Sequence, residues 1–217
     1  MELFTIGHSN HSIEAFIALL QQHDVTALVD VRSHPYSRYL PHFNQTQLKT
    51  ALFDVGIRYV FLGRELGARP SDPSCYVDGK ALYERIASTD LFSQGIQRIL
   101  KGAATYKIAL MCAEKDPITC HRAVLVCQHL REFDLDINHI LRNGNLETHQ
   151  HLEERLLELH GLKQPELLEP VQLSLFNDLS LPAHSSIQYS TKDSLKEAYK
   201  RQGNQIAYVE KAVIQDE

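Results

Sequence analysis

The segment MCAEKDPITCHR at residues 111–122 concentrates side chains that could do chemistry. It supplies two thiols, a carboxylate, an imidazole and a guanidinium, from Cys112, Cys120, Glu114, His121 and Arg122. Carboxylates and imidazoles act as acids or bases, thiols and imidazoles act as nucleophiles, and guanidinium groups bind phosphate. These residue types therefore indicate a catalytic or anion-binding site.

The segment lies at a predicted turn between a strand and a helix. Residues 106–111 form a short apolar run typical of a buried strand, and residues 119–131 form a nearly all-apolar helix. Asp116 or Thr119 can cap this helix, and the sequence does not choose between them. The helix N-terminus would favour an anion and would lower the pKa of a nearby thiol.

Each of these residues also has a purely structural interpretation. Cys112 could be a small core residue, Glu114 a solvated loop residue, and His121 a cap beside Arg122. Cys120 falls on the buried helix, which favours a structural role. The spacing Cys112-x7-Cys120-His121 lacks the paired pattern of zinc motifs and the C-x-x-C pattern of redox pairs. The sequence therefore predicts no metal at this turn, and it identifies no cofactor.

Strands alternate with helices over the first 160 residues. Predicted strands cover residues 3–6, 27–31, 57–61, 106–111 and 137–141, and predicted helices cover 13–20, 45–55, 80–100 with a break near Ser88, 119–131 and 146–160. This alternation predicts a three-layer α/β/α fold with a mainly parallel sheet of about five strands.

Ligands bind at the carboxyl ends of the strands in such sheets, and the other candidate residues follow those ends. His8 follows the first strand, and a cluster of arginines follows the next two. We predict that an anion is bound by Arg32, Arg38, Arg122, His8 and Arg64. The predicted catalytic residues are Cys112, Glu114, His121 and Asp30. In this prediction Glu114 or Asp30 is the acid or base, and Cys112 or His121 is the nucleophile or proton shuttle.

Composition places the chain among globular proteins. Of its 217 residues 43% are hydrophobic and 23% are charged, and the net charge of -5 excludes a strongly basic nucleic-acid-binding surface overall. The apolar runs fall far short of the ~20 residues that span a bilayer, so no membrane partner is expected. The N-terminus lacks the apolar region of a signal peptide, which predicts a cytoplasmic protein with reduced cysteines.

The pattern changes after residue 161. We predict an α/β domain over residues 1–161 and a flexible, irregular tail with short elements over residues 162–217. The tail contains QLSLF at 172–176, which resembles the peptide by which bacterial replication and repair proteins bind the DNA sliding clamp. The residues predicted to contact the clamp are Gln172, Leu173, Leu175 and Phe176. The alternative is that these apolar residues fold back onto the domain as a short strand.

Four segments resemble the family of unknown function DUF488: TIGHSNHSIEAF at 5–16, LVDVRSHPYSRYLPHFN at 28–44, the glycine-rich block at 56–70, and MCAEKDPITCHRAV at 111–124. The resemblance spans roughly residues 1–160. It implies an α/β fold and a shared site, but no reaction. The site that it implies contains Asp30, Arg32, Arg38, Cys112, Glu114, Cys120, His121 and Arg122. The VDVR segment is also similar to a rhodanese strand, although no cysteine-centred loop of rhodanese length follows it.

These patterns together predict a function near DNA. We predict an enzyme with hydrolase or lyase chemistry on nucleic acid, a nucleotide or another phosphorylated substrate, recruited by the sliding clamp for DNA repair or maintenance. One alternative is a non-catalytic module that recognises a nucleotide or DNA and is tethered to the clamp. Another is a small-molecule phosphate or thiol enzyme with no DNA role.

Overall fold

A six-stranded sheet forms the centre of the protein, in a computed structural model that describes residues 1–163 and 191–210. The strand order is β3-β2-β6-β1-β7-β8. The strands are β1 (Glu2–Gly7), β2 (Ala27–Asp30), β3 (Arg58–Phe61), β6 (Ile108–Cys112), β7 (Asp136–Ile140) and β8 (Leu146–Thr148), and a separate hairpin contains β4 (Tyr76–Val77) and β5 (Lys80–Ala81). All neighbouring strands of the sheet are parallel except β7 and β8.

Helices cover both faces of the sheet, as predicted. The helices are α1 (Ile13–Gln22), α2 (Gln45–Asp54), α3 (Gly63–Leu66), α4 (Tyr83–Ala87), α5 (Asp90–Ala103), α6 (Gln128–Leu130), α7 (His149–Leu159) and α8 (Thr191–Ile206). Phe16 of α1 and Leu48 of α2 pack against one face, and Phe92 and Ile96 of α5 pack against the other. Alternate side chains of β6 enter both apolar clusters, so the predicted three-layer α/β/α fold is confirmed.

The prediction of a closing helix from residue 146 is wrong at its start. Leu146 lies in β8, which pairs with β7 after a turn through Gly144, and its side chain is 44% exposed. The helix begins only after Thr148, whose hydroxyl accepts a hydrogen bond from the His151 amide. Within α7, Leu152 and Leu156 are the residues that face the core.

The region between β3 and α5 has more regular structure than its glycines and prolines suggest. The predicted irregular stretch contains α3, a 3₁₀ turn at Pro73–Cys75 and strand β4. The predicted break near Ser88 is confirmed, because α4 ends at Ala87 and Thr89 caps α5 through its hydroxyl. The start of that predicted helix at residue 80 is wrong, since Lys80 belongs to β5.

Helix α8 packs against α7, against α4 and against the segment from Cys112 to Cys127, which we call the corner. Its apolar residues Leu195, Ala198 and Tyr199 join Leu156 of α7 and Ile118 of the corner in a third cluster. The chain after α8 also pairs with the β4-β5 hairpin, where the Ala81 amide donates to the Tyr208 carbonyl at 2.9 Å. The part of residues 162–217 that the structure describes after residue 190 is therefore attached to the domain.

A buried chain of hydrogen bonds connects β1 to α8. Thr5 Oγ1 lies 2.7 Å from His139 Nδ1, and His139 Nε2 lies 3.0 Å from His149 Nδ1. His149 Nε2 lies 3.0 Å from the hydroxyl of Tyr199, which donates to Glu153 at 2.8 Å. One assignment of protons satisfies every member, with each group donating to the next from Thr5 to Glu153. The chain requires both histidines to be neutral.

Two further sequence predictions concern membrane-spanning helices and the clamp peptide. Within residues 1–163 and 191–210, no helix combines the length and the apolar character needed to cross a bilayer. The proposed clamp peptide, with Gln172, Leu173, Leu175 and Phe176, lies outside the described residues.

The neutral histidines predict a loss of stability in mild acid. Burial, and to a lesser degree Arg131, lowers the pKa of His149 to about 4. In the unfolded chain the same imidazole takes up a proton near pH 6.5. The stability that depends on neutral His149 is therefore complete above pH 6.5 and is lost as the pH falls toward 4. We expect the free energy of unfolding to fall there by up to about 1.4 kcal/mol per pH unit for each such histidine, measured by urea denaturation.

Two variants test this assignment. His149→Gln should show a shallower dependence of unfolding free energy on pH, whereas His151→Gln, at an exposed position of the same helix, should keep the wild-type slope. Equal slopes for wild type and His149→Gln would contradict the assignment.

Candidate functional site

The corner is the segment from Cys112 to Cys127, which begins at the last residue of β6 and contains a 3₁₀ turn and a π-helical turn. Asp116 caps a 3₁₀ turn at Pro117–Thr119, where its carboxylate accepts from the Ile118 amide at 3.1 Å. Cys120 then adopts an extended conformation, and a π-helical turn follows over Arg122–Cys127. Such π turns occur frequently at functional sites.

This path corrects the predicted single helix over residues 119–131. Cys120 precedes the helical segment, whereas His121 and Arg122 begin it. The amides of Ala123 and Val124 both bond to the Cys120 carbonyl, at 3.1 and 3.0 Å, so they are not free for an anion. These two amides therefore do not contribute to the anion site predicted at this helix N-terminus.

Four reactive side chains meet at the corner. The thiols of Cys112 and Cys120 lie 2.9 and 3.0 Å from the same carboxylate oxygen of Glu114, and Cys112 Sγ lies 3.5 Å from His121 Nδ1. One donor atom from each of the four residues lies within 4.8 Å of all the others. Cys112, Cys120 and His121 are buried, whereas Glu114 is exposed. We call these four residues the corner cluster.

The orientation of His121 is fixed from outside the cluster. Its Nε2 lies 3.0 Å from the Val31 carbonyl at the end of β2. A carbonyl only accepts, so Nε2 carries a proton and Nδ1 of the neutral ring presents a lone pair to Cys112. The ring therefore offers a base or a metal ligand to the cluster.

Burial and mutual contact shift the pKa values of the cluster. Burial, together with contact with Cys120 and Glu114, raises the pKa of the Cys112 thiol. Burial also raises the pKa of Cys120, but the Cys112 hydrogen bond, the charge of Arg122 and the His121 hydrogen bond lower it more. Burial and the neighbouring Cys120 raise the pKa of Glu114. Cys120 is thus the favoured thiolate, and Glu114 is poised to accept or release a proton.

Arg122 holds the loop of the corner in place. Its side chain is fully buried, and it donates to the carbonyls of Glu114 at 2.8 Å and Lys115 at 3.4 Å. The Glu114 carbonyl packs so closely on Gly7 that a Cβ at that position would lie 1.8 Å from its oxygen. The guanidinium of Arg122 is therefore directed at backbone rather than at a pocket.

A pocket of about 310 Å³ opens above the cluster. Cys112, Glu114 and His121 lie on its floor. Among the other residues of its lining, those that we call the rim are Arg32, Ser33, His34, Tyr36, Arg69, Tyr83 and Tyr208. Burial and the nearby thiols raise the pKa of Tyr83, which keeps this phenol neutral. The pocket thus joins a reactive floor to an aromatic and cationic rim.

Asp30, Arg32 and His8 form a buried group beside the pocket. Arg32 donates to both carboxylate oxygens of Asp30, at 2.9 and 2.7 Å, and to the Phe43 carbonyl at 2.8 Å. Tyr59 also donates to Asp30, at 2.8 Å. Burial and the Arg32 charge lower the pKa of His8 to about 4, so its neutral ring can accept from Arg32 at 3.2 Å. These contacts make Asp30 and His8 supports for Arg32.

The other two predicted anion ligands lie away from the pocket lining. Arg38 and Arg64 are exposed, and Arg38 lies over the ring of Tyr39. Arg69, which the sequence analysis did not select, does line the pocket, and its guanidinium lies 4.3 Å from the Tyr208 ring centroid. Its signal was its position in the glycine-rich block at 56–70, whereas nothing in the sequence connected Tyr208 to this site.

A wider cavity of about 1070 Å³ lies on the other side of the corner loop. Lys115, Arg142 and Arg155 contribute to its lining, and Arg155 is paired with Glu147 and Asp116 at 2.8 and 2.9 Å. None of the four cluster residues lines this cavity. The smaller pocket is therefore the one associated with the reactive groups.

The buried pair of Asp30 and Arg32 predicts a stability difference between two aspartate variants. Asp30→Asn should lower the free energy of unfolding by about 3–5 kcal/mol, because it leaves the Arg32 charge unpaired in the interior. Asp24→Asn is the control, since Asp24 is 82% exposed and faces Lys107 at 3.5 Å. That change should cost less than about 1 kcal/mol. Equal costs in chemical denaturation would contradict the assigned role of Asp30.

Comparison with known proteins places the chain in a family. No curated protein and no solved structure matches it. Residues 12–128, more than half of the chain, match the family described as domain of unknown function DUF488. The match includes β2, β3, β6 and the whole corner cluster. The chain therefore belongs to the DUF488 family.

Proposed function

We propose that the protein is an enzyme that acts on a nucleotide, a nucleic acid or another phosphorylated substrate in the pocket above the corner cluster. The observation that carries this proposal is the meeting of two thiols, a carboxylate and an imidazole beneath a rim with an exposed arginine. The pocket also lies at the carboxyl ends of β2 and β6, where parallel sheets bind their ligands.

The rim supports this class of ligand. Arg69 is a charged group that can reach phosphate, and Tyr36, whose side chain is 70% exposed, offers a ring for stacking. A volume of about 310 Å³ is at the lower end of ligand sites, which suits one nucleotide or one nucleotide unit of a strand. In this proposal Arg69 takes the role that the sequence analysis gave to Arg38 and Arg64.

The floor supports acid and base chemistry. Glu114 combines exposure to the pocket with a raised pKa, which suits a general acid or base. Cys112 and His121 keep their proposed roles as nucleophile or proton shuttle, because they contact each other and face the same pocket. Since burial raises the pKa of the Cys112 thiol, His121 or the Cys120 thiolate would have to take its proton before it attacks. Asp30 becomes a positioning residue in this proposal, since both of its oxygens are bonded within the protein.

Ligand titration tests the proposal through Arg69. We expect deoxynucleoside monophosphates to bind more tightly than the matching nucleosides, because the guanidinium would contact phosphate. Arg69→Ala should weaken nucleotide binding by about tenfold or more, the effect of losing one charge-assisted hydrogen bond. Isothermal titration calorimetry measures both comparisons.

The matched control is Arg64→Ala, which removes a nearby exposed arginine that does not line the pocket. It should leave nucleotide affinity unchanged. Equal affinities for nucleosides and monophosphates, or equal losses in the two variants, would contradict the proposal.

We also propose that the sliding clamp recruits this protein to DNA through residues 172–176. The support is the sequence QLSLF, in which Leu175 and Phe176 would fill an apolar pocket of the clamp and Gln172 would bond at its edge. Tethering to a ring on DNA would raise the local concentration of a protein whose net charge is -5. The proposed setting is DNA repair or maintenance.

Surface plasmon resonance with immobilised clamp tests this recruitment. The full chain should bind, and the double variant Leu175→Ala/Phe176→Ala should lose binding because both apolar anchors are removed. Asn177→Ala, adjacent to the peptide, is the control and should bind like wild type. Absence of binding by the wild-type chain, or unchanged binding by the double variant, would exclude recruitment through this peptide.

A further inference from the structure

We propose that the corner cluster binds one zinc ion through Cys112, Cys120, His121 and Glu114. This inference deepens the proposed function, on which it rests for the use of the site, by assigning a cofactor to the pocket floor. With zinc bound, Cys112 and His121 would be ligands, and a zinc-bound water would replace Cys112 as the nucleophile. It differs from the sequence prediction of no metal.

The distances between the donor atoms suit tetrahedral zinc. With zinc–sulfur bonds of about 2.3 Å and zinc–nitrogen or zinc–oxygen bonds of about 2.0 Å, tetrahedral donors lie roughly 3.5 Å apart. Cys112 Sγ is 3.5 Å from His121 Nδ1, and the two thiols are 2.9 and 3.0 Å from Glu114. These three distances lie within about 0.6 Å of the tetrahedral separation, and the other donor pairs lie within 4.8 Å of one another, so zinc binding requires side-chain shifts of up to about 1 Å.

His121 is already oriented as a metal ligand. Metal-binding histidines commonly donate their second ring nitrogen to a carbonyl or carboxylate, which fixes the ring and its protonation state. Here Nε2 is bonded to the Val31 carbonyl at 3.0 Å, and Nδ1 faces the thiols. The carbonyl belongs to the end of a central strand, so the sheet holds the ligand in place.

The charges of the site balance when zinc is bound. Two thiolates and one carboxylate bring three negative charges into a largely buried cluster, which is costly without compensation. A divalent ion and the buried guanidinium of Arg122 supply three positive charges. Arg122 contacts the loop backbone at Glu114, so it lies next to the cluster without competing for its donors.

The identity of the donors favours zinc over magnesium and calcium. Thiolates and imidazole prefer zinc to magnesium or calcium, which require sets of oxygen ligands. The spacing Cys112-x7-Cys120-His121 conceals the site in the sequence, because zinc motifs are recognised by closely paired ligands. The 3₁₀ turn at Pro117–Thr119 brings Cys120 back to the end of β6, so ligands that are far apart in the sequence lie close together in the fold.

Glu114 is the exchangeable ligand of the proposed site. It is the exposed member of the cluster and lines the pocket. A water molecule that replaced it on zinc would become a stronger nucleophile, because the metal lowers its pKa. In a hydrolysis the oxygen of that water would bond to the electrophilic atom of the substrate as the bond to the leaving group breaks, and one proton of the water would pass, by way of the displaced Glu114 carboxylate, to the leaving group.

Metal analysis of the full chain tests the site without a substrate. Reduced wild-type protein, loaded with zinc and desalted, should retain one ion per chain by mass spectrometry of the metal. Replacement with cobalt(II) should give thiolate-to-metal charge-transfer bands and the intense visible bands of tetrahedral coordination. Retention of no zinc, or an octahedral cobalt spectrum without charge-transfer bands, would overturn the proposal. The cobalt test uses only the wild-type chain, so it does not depend on the folding of any variant.

Cysteine variants identify the ligands. Cys112→Ala and Cys120→Ala should each lose stoichiometric zinc and the cobalt charge-transfer spectrum of wild type. Cys127→Ala is the matched control, because Cys127 is buried on the adjacent π turn but is not in the cluster. Zinc retention that is unchanged in the first two variants would overturn the proposal.

The same measurements separate this inference from the proposed function. Arg69→Ala should bind zinc like wild type, since Arg69 is not a donor. If no zinc binds while nucleotide affinity still depends on Arg69, the metal inference alone fails. If zinc binds and nucleotides do not, the proposed function fails and the metal site stands.

Discussion

The buried guanidinium of Arg122 is the interaction on which the corner depends. A charged group in the interior costs several kcal/mol unless its donors are bonded, and here they bond to the carbonyls of Glu114 and Lys115 and to the hydroxyl of Thr5. The bonds fix the loop that follows β6 against the end of β1. Gly7 makes the approach possible, because any side chain at that position would collide with the Glu114 carbonyl.

Thr5 extends this arrangement through the core to the last described helix. It bonds to His139, which leads through His149 to Tyr199 on α8. The reactive loop, the β1 strand and α8 are thus parts of one hydrogen-bonded structure in which the members have few alternative partners. The neighbouring group around Arg32 is satisfied in the same way. These two hydrogen-bonded groups hold the neighbouring reactive side chains in position, which is what a catalytic or metal site requires.

Much of this architecture could be predicted from the sequence, because short apolar runs and helical periodicity report burial directly. Five of the six strands of the sheet, their mainly parallel direction and the meeting of Cys112, Glu114 and His121 at one sheet edge followed from that pattern. The partners of buried charges could not be predicted, so Arg122 was expected to face a ligand when it bonds to the loop backbone, and the pairing of Arg32 with Asp30 was not foreseen although Arg32 does line the pocket. Likewise, Arg69 was overlooked because exposure at a pocket rim has no periodic signal. The place of Cys120 beside Cys112 depends on a 3₁₀ turn whose direction the sequence does not specify.

The central claim is that the pocket above the corner cluster is where this DUF488 protein binds and converts its substrate. The most direct measurement is a crystal structure of the protein soaked with a deoxynucleoside monophosphate. We expect the phosphate to lie beside Arg69 and the rest of the nucleotide to lie over Cys112, Glu114 and His121. A nucleotide bound in the wider cavity beside Arg142 and Arg155, with the corner pocket left to solvent, would contradict it.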